Sequence, residues 1–311
     1  METKDTKIKK HKRNHLQAVS VPTEIIFHLI LAGFAIACII PFIFVIIISF
    51  SSEESVRLIG YSFIPLEWST EAYKFIFDMG TQLWRSYFNS FFVTIFGTFL
   101  SLLMCVMYSY ALFRRDFKYR KFFTFFAFFT MLFGGGLAPT YMVCKQLLGL
   151  SDNYAALIVP ALVSPFNIII MRTFFQTSVP EELIEAAAID GSGEYNTLFK
   201  IIIPISKPGI ATVGLLTALS YWNEWFLAML YIRDAKLYPL QYLLMKMQNQ
   251  VDFMVKNSSK LGAEASRIIQ DLPSSGLRMA LVVFIVVPIA CAYPFFQRYI
   301  ISGLTIGSVK G

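Results

Sequence analysis

The sequence is poor in charge and in the side chains that build catalytic or metal centres. Only 15% of its 311 residues are Asp, Glu, Lys or Arg, whereas soluble domains carry about 25%. Its three histidines (His11, His15 and His28) are scattered, so no metal site is predicted. The phosphate-binding pattern G-x-x-x-x-G-K-[ST] is absent. A chain of this kind is not a soluble domain and does not hydrolyse ATP by itself.

Cysteine is also scarce, and the basic residues are spread out. The four cysteines lie within or at the ends of apolar runs and show no CxxC spacing; they are Cys38, Cys105, Cys144 and Cys291. We interpret them as small packing residues and predict no disulfide. The net charge of +7 comes from basic residues that flank hydrophobic runs. That placement argues against nucleic-acid binding.

Apolar residues are abundant: 56% of the chain is hydrophobic, and the mean hydropathy is +0.59. A helix that crosses the hydrocarbon core needs about 20 apolar residues. Six stretches qualify or nearly do: residues 25–50, 91–113, 122–143, 154–175, 209–232 and 279–299. The first is too long for a signal-peptide core, so we expect it to be retained. The sequence predicts an all-α integral membrane protein with one six-helix transmembrane bundle, residues 23–302.

Basic residues between the spans predict the orientation. The tail 1–22 and the short loop 114–121 are rich in Lys and Arg, which marks the cytoplasmic side. With six spans, the C-terminal tail 303–311 and the segment 178–204 also face the cytoplasm, although that segment is acidic and its placement depends on the number of spans. On the outside, residues 51–90 predict a folded cap with amphipathic pieces. The segment 233–277, which contains Lys256–Lys260, has the composition of a solvated loop.

The segment 178–204, which we call the elbow, predicts two short helices. Ser178 suits an N-cap, with Glu181 reaching back and Pro180 tolerated in the first turn. Gly191 suits a left-handed helix stop, and a second helix would run from Glu194 and end at Pro204. The elbow either lies on lipid headgroups or docks on another protein. Its acidic residues disfavour the first alternative, since interfacial helices present Lys and Arg to anionic lipid.

A few polar residues within the spans are candidates for a substrate path. Asn167 lies in the fourth span, and the fifth holds the cluster Tyr221, Trp222, Asn223, Glu224 and Trp225. Aromatic rings and amide or carboxylate groups suit the apolar faces and the hydroxyls of sugars. The same cluster also fits an aromatic belt at the membrane interface. Gly134–Gly136 indicates either a helix break that lines a cavity or a tight helix contact. The phenylalanines of residues 122–129 are expected to face lipid.

One motif makes the sequence similar to a known family. Glu185-Ala186-Ala187, three residues, Gly191, nine residues and then Ile201-x-Ile203-Pro204 resembles the EAA loop of binding-protein-dependent ABC importer permeases of type I, the maltose type. The pattern is EAA-x3-G-x9-I-x-L-P, and Ile203 at the Leu position is its one departure. Further segments are similar to the carbohydrate subgroup, and within it to the LplC/YtcP-like permeases: 133–141, 167–175, 221–225, 237–241 and 303–311.

The resemblance implies a function and a set of partners. The elbow would be a coupling helix that contacts a cytoplasmic ATPase through Glu185, Ala186, Ala187, Asp190, Gly191, Ile201 and Pro204. The importer would comprise a second homologous permease, two ATPase subunits that bind ATP and Mg²⁺, and an external solute-binding protein that delivers an oligosaccharide. This chain would lie in a bacterial cell membrane and bind no cofactor. An ion-coupled secondary carrier and a membrane-embedded enzyme are the alternatives. The charged residues and internal repeats expected of a carrier are not evident.

Overall fold

The computed structural model describes residues 21–78, 80–257 and 274–306. Over these residues every regular element is a helix, apart from an isolated antiparallel bridge between Ser51 and Trp68. This agrees with the predicted all-α fold. The basic residues of the tail, Lys4–Arg13, lie outside the described residues. So do residues 258–260 of the predicted lysine-containing loop and residues 307–311 of the C-terminal tail.

Among the described residues, three helices are each long and apolar enough to cross a membrane, and the number rises to as many as six if each of three bent helix pairs counts as one span. The three helices are α1 (Val21–Ser49), α4 (Thr81–Phe113) and α15 (Ser274–Ile306), within which Pro22–Ser49, Thr81–Phe113 and Ser275–Pro294 meet the length and composition expected of a span. Helix α4 begins at Thr81, well before the predicted start at Phe91. Its added N-terminal turns bury Leu83 and Ser86, and this packing extends the helix beyond its most apolar part.

The third predicted span is bent by 112°. It consists of α5 (Arg120–Leu132) and α6 (Leu137–Met142), and α6 continues as a π-helical turn to Leu147. The break between them contains the three glycines. A Cβ atom added at Gly134 or Gly135 would meet nothing within 4 Å. Within the described residues the glycines therefore mark a helix break and not a tight contact with another helix of this chain. That the break lines a cavity stays a prediction.

The fourth predicted span is also broken, with a bend of 55°. Helix α7 (Tyr154–Ile158) runs into a 3₁₀ turn (Val159–Ala161), and α8 (Pro165–Ser178) follows after an irregular stretch. Pro160 and Pro165 lack the N–H group that would continue the helical ladder. The Ser164 side chain accepts a hydrogen bond from the Asn167 backbone N–H at 3.4 Å and so caps α8.

The fifth predicted span is interrupted at Asn223–Trp225. Helix α12 (Lys207–Trp222) ends there and α13 (Phe226–Tyr231) follows. After a 3₁₀ turn (Ala235–Leu237), α14 (Leu240–Asn257) occupies a region predicted to be a solvated loop. That prediction is wrong for the described part. Four residues of α14 at helical spacing are buried against the bundle: Leu240, Leu244, Met247 and Val251. Packing of this apolar face stabilises the helix.

Two short helices precede α4 at the predicted outer cap. Helix α2 (Glu53–Ile59) begins after Ser52, whose side chain accepts a hydrogen bond from the Ser55 N–H. Helix α3 (Glu71–Asp78) buries Ala72 and Ile76, and it packs on α15. The amphipathic pieces expected between residues 51 and 90 are therefore present.

Helix α4 is the centre of the bundle and packs most extensively on α12, α8 and, towards its start, on α14. The α4–α12 contact is close at Gly97, where an added Cβ would lie 2.8 Å from the Tyr221 ring. Buried residues form three clusters along α4. One joins α3, α14 and α15, one surrounds α7 and α13, and one joins α8, α12 and the elbow.

Candidate functional site

The elbow lies at one end of the bundle, between α8 and α12. Its first helix, α9, spans Glu181–Ile189. Its second begins as α10 (Glu194–Thr197), continues as a π-helical turn (Leu198–Ile202) and ends as α11 (Ile203–Ile205). The second helix meets α12 at an angle of 84°, so the elbow projects from the bundle as a hairpin of two helices.

The start of α9 differs from the predicted one. Ser178 is the last residue of α8, and Pro180 occupies the N-cap position with extended backbone and no side-chain hydrogen bond. The predicted Ser178 cap is therefore wrong, because a residue inside one helix cannot adopt the extended backbone that an N-cap requires. The proline also disfavours helical backbone at Val179, which is extended (φ −108°, ψ 110°).

The end of α9 agrees with the prediction. Gly191 has φ +73°, in the left-handed region that favours glycine. The Gly191 N–H donates to the Ala188 carbonyl at 3.1 Å, and the Ser192 N–H donates to the Ala187 carbonyl at 2.9 Å. These two bonds form a Schellman motif, which directs the chain back towards the bundle.

The second elbow helix does not end at Pro204 as predicted. It passes Pro204 and ends at Ile205, after a π-helical turn. The wide turn restarts the α-helix at Ile203, which places the proline in a first turn where its missing N–H is tolerated. The Ser206 N–H then donates to the Ile202 carbonyl at 2.9 Å.

The inner face of the elbow is continuous with the core. Ile184, Leu198 and Ile202 are at most 9% exposed and pack with buried residues of α4, α8 and α12. Ala187 is 6% exposed. Of the predicted coupling residues, Ala187 therefore faces the bundle and Ile201 is half-buried. The other five are exposed: Glu185, Ala186, Asp190, Gly191 and Pro204. Their contact with an ATPase stays a prediction.

Two arginines tie the elbow to the loop that follows α4. Arg114 Nη2 lies 2.8 Å from Glu194 Oε1 and 3.0 Å from Asp116 Oδ2, and the Tyr110 hydroxyl also donates to Glu194. Arg115 Nη2 lies 2.8 Å from Glu181 Oε2. The basic loop and the acidic elbow are therefore at the same end of the bundle. The number of predicted spans implied that the elbow and the basic loop lie on the same side. The acidic composition of the elbow gave no support for that placement.

The opposite end of α4 contacts the segment before α14. Asn89 Nδ2 donates to the carbonyl oxygens of Lys236 and Tyr238 at 2.8 and 3.1 Å. Asn89 and Arg114 are separated along α4 by about 37 Å at 1.5 Å per residue. That length exceeds the ~30 Å hydrocarbon core, so it is sufficient to place the elbow and the residues near Lys236 on opposite sides of a membrane.

The outer face of the elbow carries apolar residues that the sequence analysis missed. Ile189 is 87% exposed and Tyr195 is 72% exposed. They lie on either side of the Gly191 turn, beside the exposed Glu185 and Asp190. The sequence pattern could have revealed them, because each is an apolar residue at a position outside the buried face of its helix. A cavity of about 840 Å³ opens between this hairpin and the Arg114–Arg120 loop.

The predicted substrate-path residues separate into two groups. Asn167 and Tyr221 line one cavity of about 200 Å³ between α4, α8 and α12, with Asn167 Nδ2 donating to Thr217 Oγ1 at 3.1 Å. Trp222 is 5% exposed, and its Nε1 donates to the Ile285 carbonyl of α15 at 3.3 Å. Trp222 therefore holds α12 against α15.

The remaining three residues of the cluster lie at the break after α12. Glu224 Oε1 accepts hydrogen bonds from the N–H groups of Phe226 and Leu227 at 2.7 and 2.9 Å, and so stabilises the start of α13. Asn223 bonds within its own helix and to Gln241, and Trp225 packs edge-on against Phe226. None of the three lines the 200 Å³ cavity.

Comparison with known proteins relates this architecture to transport. The chain is 39% identical over 278 residues to the polygalacturonan/rhamnogalacturonan transport system permease protein YtcP of Bacillus subtilis (strain 168), covering 89% of this chain and 94% of the relative. It is 38% identical over 283 residues to protein LplC of the same organism, covering 91% and 93%. No family model matches the chain.

A solved structure has the same fold. It is a crystal structure of a bacterial ABC transporter involved in the import of the acidic polysaccharide alginate, with a TM-score of 0.73 and 31% sequence identity, covering 89% of this chain and 96% of that one. The match extends over 89% of this chain and confirms the expected all-α membrane fold.

Proposed function

Because this chain belongs to the permease family of carbohydrate-importing ABC transporters, we propose that it is the oligosaccharide-translocating subunit that couples to an ATPase through the elbow. Its family membership makes it a non-catalytic membrane subunit, and decides against an ion-coupled carrier and a membrane enzyme. The proposal adds the mechanical role of residues 178–204. It also adds a second, related permease as the partner in the membrane.

The observation that carries the proposal is the two-sided construction of the elbow. Its inner face is part of the core that joins α4, α8 and α12, while Ile189 and Tyr195 extend outwards. Exposed apolar side chains at a projecting hairpin are typical of a protein contact. Because close-packed interiors transmit displacement, force applied at Ile189 would move the three bundle helices.

ATP and Mg²⁺ would bind in the partner subunits. The chain has no phosphate-binding loop of its own, so closure of two ATPases around ATP would supply the movement. The exposed acids Glu182 and Glu185 line the 840 Å³ cavity beside Arg115 and Arg120. A loop of the ATPase with mixed charge fits this cavity, and the carboxylates add specificity to the apolar contact.

The elbow would face the cytoplasm of a bacterial cell. It shares its end of α4 with the basic residues Arg114, Arg115 and Arg120, and basic loops stay on the cytoplasmic side. The N- and C-terminal tails would then be cytoplasmic as well. Helices α2, α3 and α14 would lie outside, where a solute-binding protein delivers sugar.

The coupling role can be tested with two matched substitutions. Ile189→Glu places a charge on the exposed tip of the elbow, and Ile64→Glu makes the same change at the opposite end of the bundle, where Ile64 is 80% exposed. We expect Ile189→Glu to reduce co-purification of the ATPase with the tagged permease at least tenfold. The Ile64→Glu variant should retain it. Equal ATPase recovery from both variants would contradict the proposed role of the elbow.

The transport role can be tested in the host with the gene deleted. Depletion of fragments from the medium would be followed by mass spectrometry, using enzymatic digests of pectin, alginate and xylan that contain neutral and acidic oligosaccharides. The relatives' names make such polysaccharide fragments the first choice. Loss of uptake of at least one fragment, restored by the gene, is expected. Uptake that is unchanged for every fragment would contradict the substrate class.

A further inference from the structure

A cavity of about 200 Å³ lies where the fourth span is broken, between α4, α8 and α12. We infer that this cavity is a binding site for one neutral sugar unit, so that this chain holds part of the cargo as it crosses the membrane. The inference rests on the proposed function and specifies which part of the substrate this permease recognises.

The floor of the cavity presents hydrogen-bonding groups that are not used by the protein. Ser101 is 3% exposed, and its hydroxyl has no hydrogen-bond partner among the described residues. Thr217 donates to the Val213 carbonyl at 2.8 Å and accepts from Asn167 Nδ2 at 3.1 Å. The Asn167 side-chain oxygen therefore stays free. A buried polar group normally finds a partner, and the hydroxyls of a sugar can both donate to this oxygen and accept from Ser101.

The rim of the cavity supplies the apolar contact that a sugar ring needs. Phe166 is 53% exposed and Leu216 is 43% exposed at its opening, next to the exposed Ser220. Tyr221 closes one side, with its hydroxyl already donating to the Ile158 carbonyl at 3.0 Å. A cavity with an aromatic and aliphatic rim and a few convergent polar groups has the general composition of a small-molecule site.

Size and charge bear on the ligand. A cavity of about 200 Å³ is large enough for one sugar ring. None of the residues that line it carries a charge. The partial charge at the N-terminus of α8 does not compensate for the desolvation of a whole carboxylate. We therefore assign a neutral unit to this cavity, and not a uronate.

The same polar groups indicate that the cavity faces the translocation path and not lipid. Polar side chains within a membrane face the protein interior or a water-filled cavity. Irregular backbone at membrane depth is tolerated only in such places, and residues 162–164 between α7 and α8 are irregular. Because unpaired backbone groups are costly in lipid, the irregular backbone at residues 162–164 is consistent with a water-filled site for a hydroxylated substrate.

Thiol labelling tests whether the cavity is wet. In the assembled importer, with the four native cysteines replaced by alanine, the Ser101→Cys variant should react with a water-soluble methanethiosulfonate reagent. The control is Ser109→Cys on the same helix, since Ser109 is fully buried and bonds to the Ile168 carbonyl at 2.9 Å. Reaction at position 101 at least tenfold faster than at 109 is expected. Equal or absent reaction would overturn the inference.

Uptake of the digests tests the ligand. Ser101→Ala removes one hydrogen bond to the sugar, so the maximal uptake rate of neutral fragments should fall about two- to tenfold. Ser101→Leu, which fills the cavity, should abolish it. Acidic fragments should be affected less, and Ser109→Ala should resemble the wild type. ATPase co-purification should be unchanged in all variants, which separates this site from the elbow.

Three results would overturn the inference. Normal uptake of neutral fragments by the Ser101→Leu variant would show that the cavity is not used. Import restricted to wholly acidic fragments by the wild type would exclude a neutral ligand. Import of no fragment at all would contradict the proposed function and this inference together.

Discussion

The turn at Gly191 allows a quantitative test of the elbow. Gly191 has φ +73°, and a Cβ atom added there would meet nothing within 4 Å. Gly191→Val therefore introduces backbone strain without a steric clash. Placing a β-branched residue in the left-handed region costs roughly 1–3 kcal/mol. The Gly191→Asn variant should cost less, since asparagine tolerates this conformation.

The strain would act on the turn and not on the bundle. Helix α9 stays anchored to the bundle through Ile184, so the direction in which the chain leaves α9 is the weaker point. A cost of 1–3 kcal/mol corresponds to about a 5–150-fold smaller population of the native turn. We expect sugar transported per ATP hydrolysed to fall at least fivefold, with normal insertion and expression.

The assay compares sugar uptake and ATP hydrolysis in the same membrane vesicles, with the binding protein present. The control is Gly193→Val, two residues along the turn. Gly193 has φ −71° and ψ 161°, which valine adopts without strain, and an added Cβ would meet nothing within 4 Å. Normal coupling by the Gly191→Val variant, at normal abundance in the membrane, would refute the reasoning.

Two further predictions concern the bundle and its outer end. Gly97→Ala should destabilise the protein by about 1–3 kcal/mol, measured as a lower unfolding temperature in detergent, because the added Cβ would lie 2.8 Å from the Tyr221 ring. At the outer end, backbone hydrogen bonds from Arg233 and Asp234 lower the pKa of Asp152. Their stabilising effect is complete above the unfolded pKa of about 3.9 and is lost as the pH falls through the lower folded value. Protection of the Arg233 and Asp234 amides from hydrogen exchange should therefore decrease in acid.

Each of these predictions has a control. Gly33→Ala, where an added Cβ meets nothing within 4 Å, should not lower the unfolding temperature, and an equal effect from both glycine variants would contradict the packing explanation. The Asp152→Asn variant keeps an acceptor oxygen but cannot titrate, so its amide protection should not depend on this ionisation. The same acid-induced loss in that variant would exclude Asp152 as the cause.

Local chemistry explains what could be predicted from the sequence. Apolar stretches of sufficient length indicated a membrane bundle, because insertion depends on composition along the chain. The left-handed stop at Gly191 was predictable, since it depends on one residue and its nearest neighbours. The spacing from Glu185 to Pro204 identified the family, which the relatives confirm.

Contacts between residues that are distant in the sequence could not be predicted. Trp222 donates to the Ile285 carbonyl of α15, 63 residues away, whereas Glu224 accepts hydrogen bonds from its near neighbours Phe226 and Leu227. A contact of either residue with sugar stays a prediction. Helix α14 was read as a loop because its buried face needs α4 and α15 to cover it. Ser178 looked like an N-cap, yet α8 extends through it.

Sequence alone thus determined that the chain enters a membrane, where its elbow lies and to which family it belongs. Only the tertiary structure decided which polar groups meet. Asn167, Thr217 and Ser101 come from three different helices, and they converge on one cavity because the fourth span breaks at Leu162–Ser164 and α4 approaches α12 closely at Gly97. Hydropathy measures how readily one segment transfers into lipid. The meeting of these three side chains depends on how several helices pack together, and the sequence of a single segment does not determine that packing.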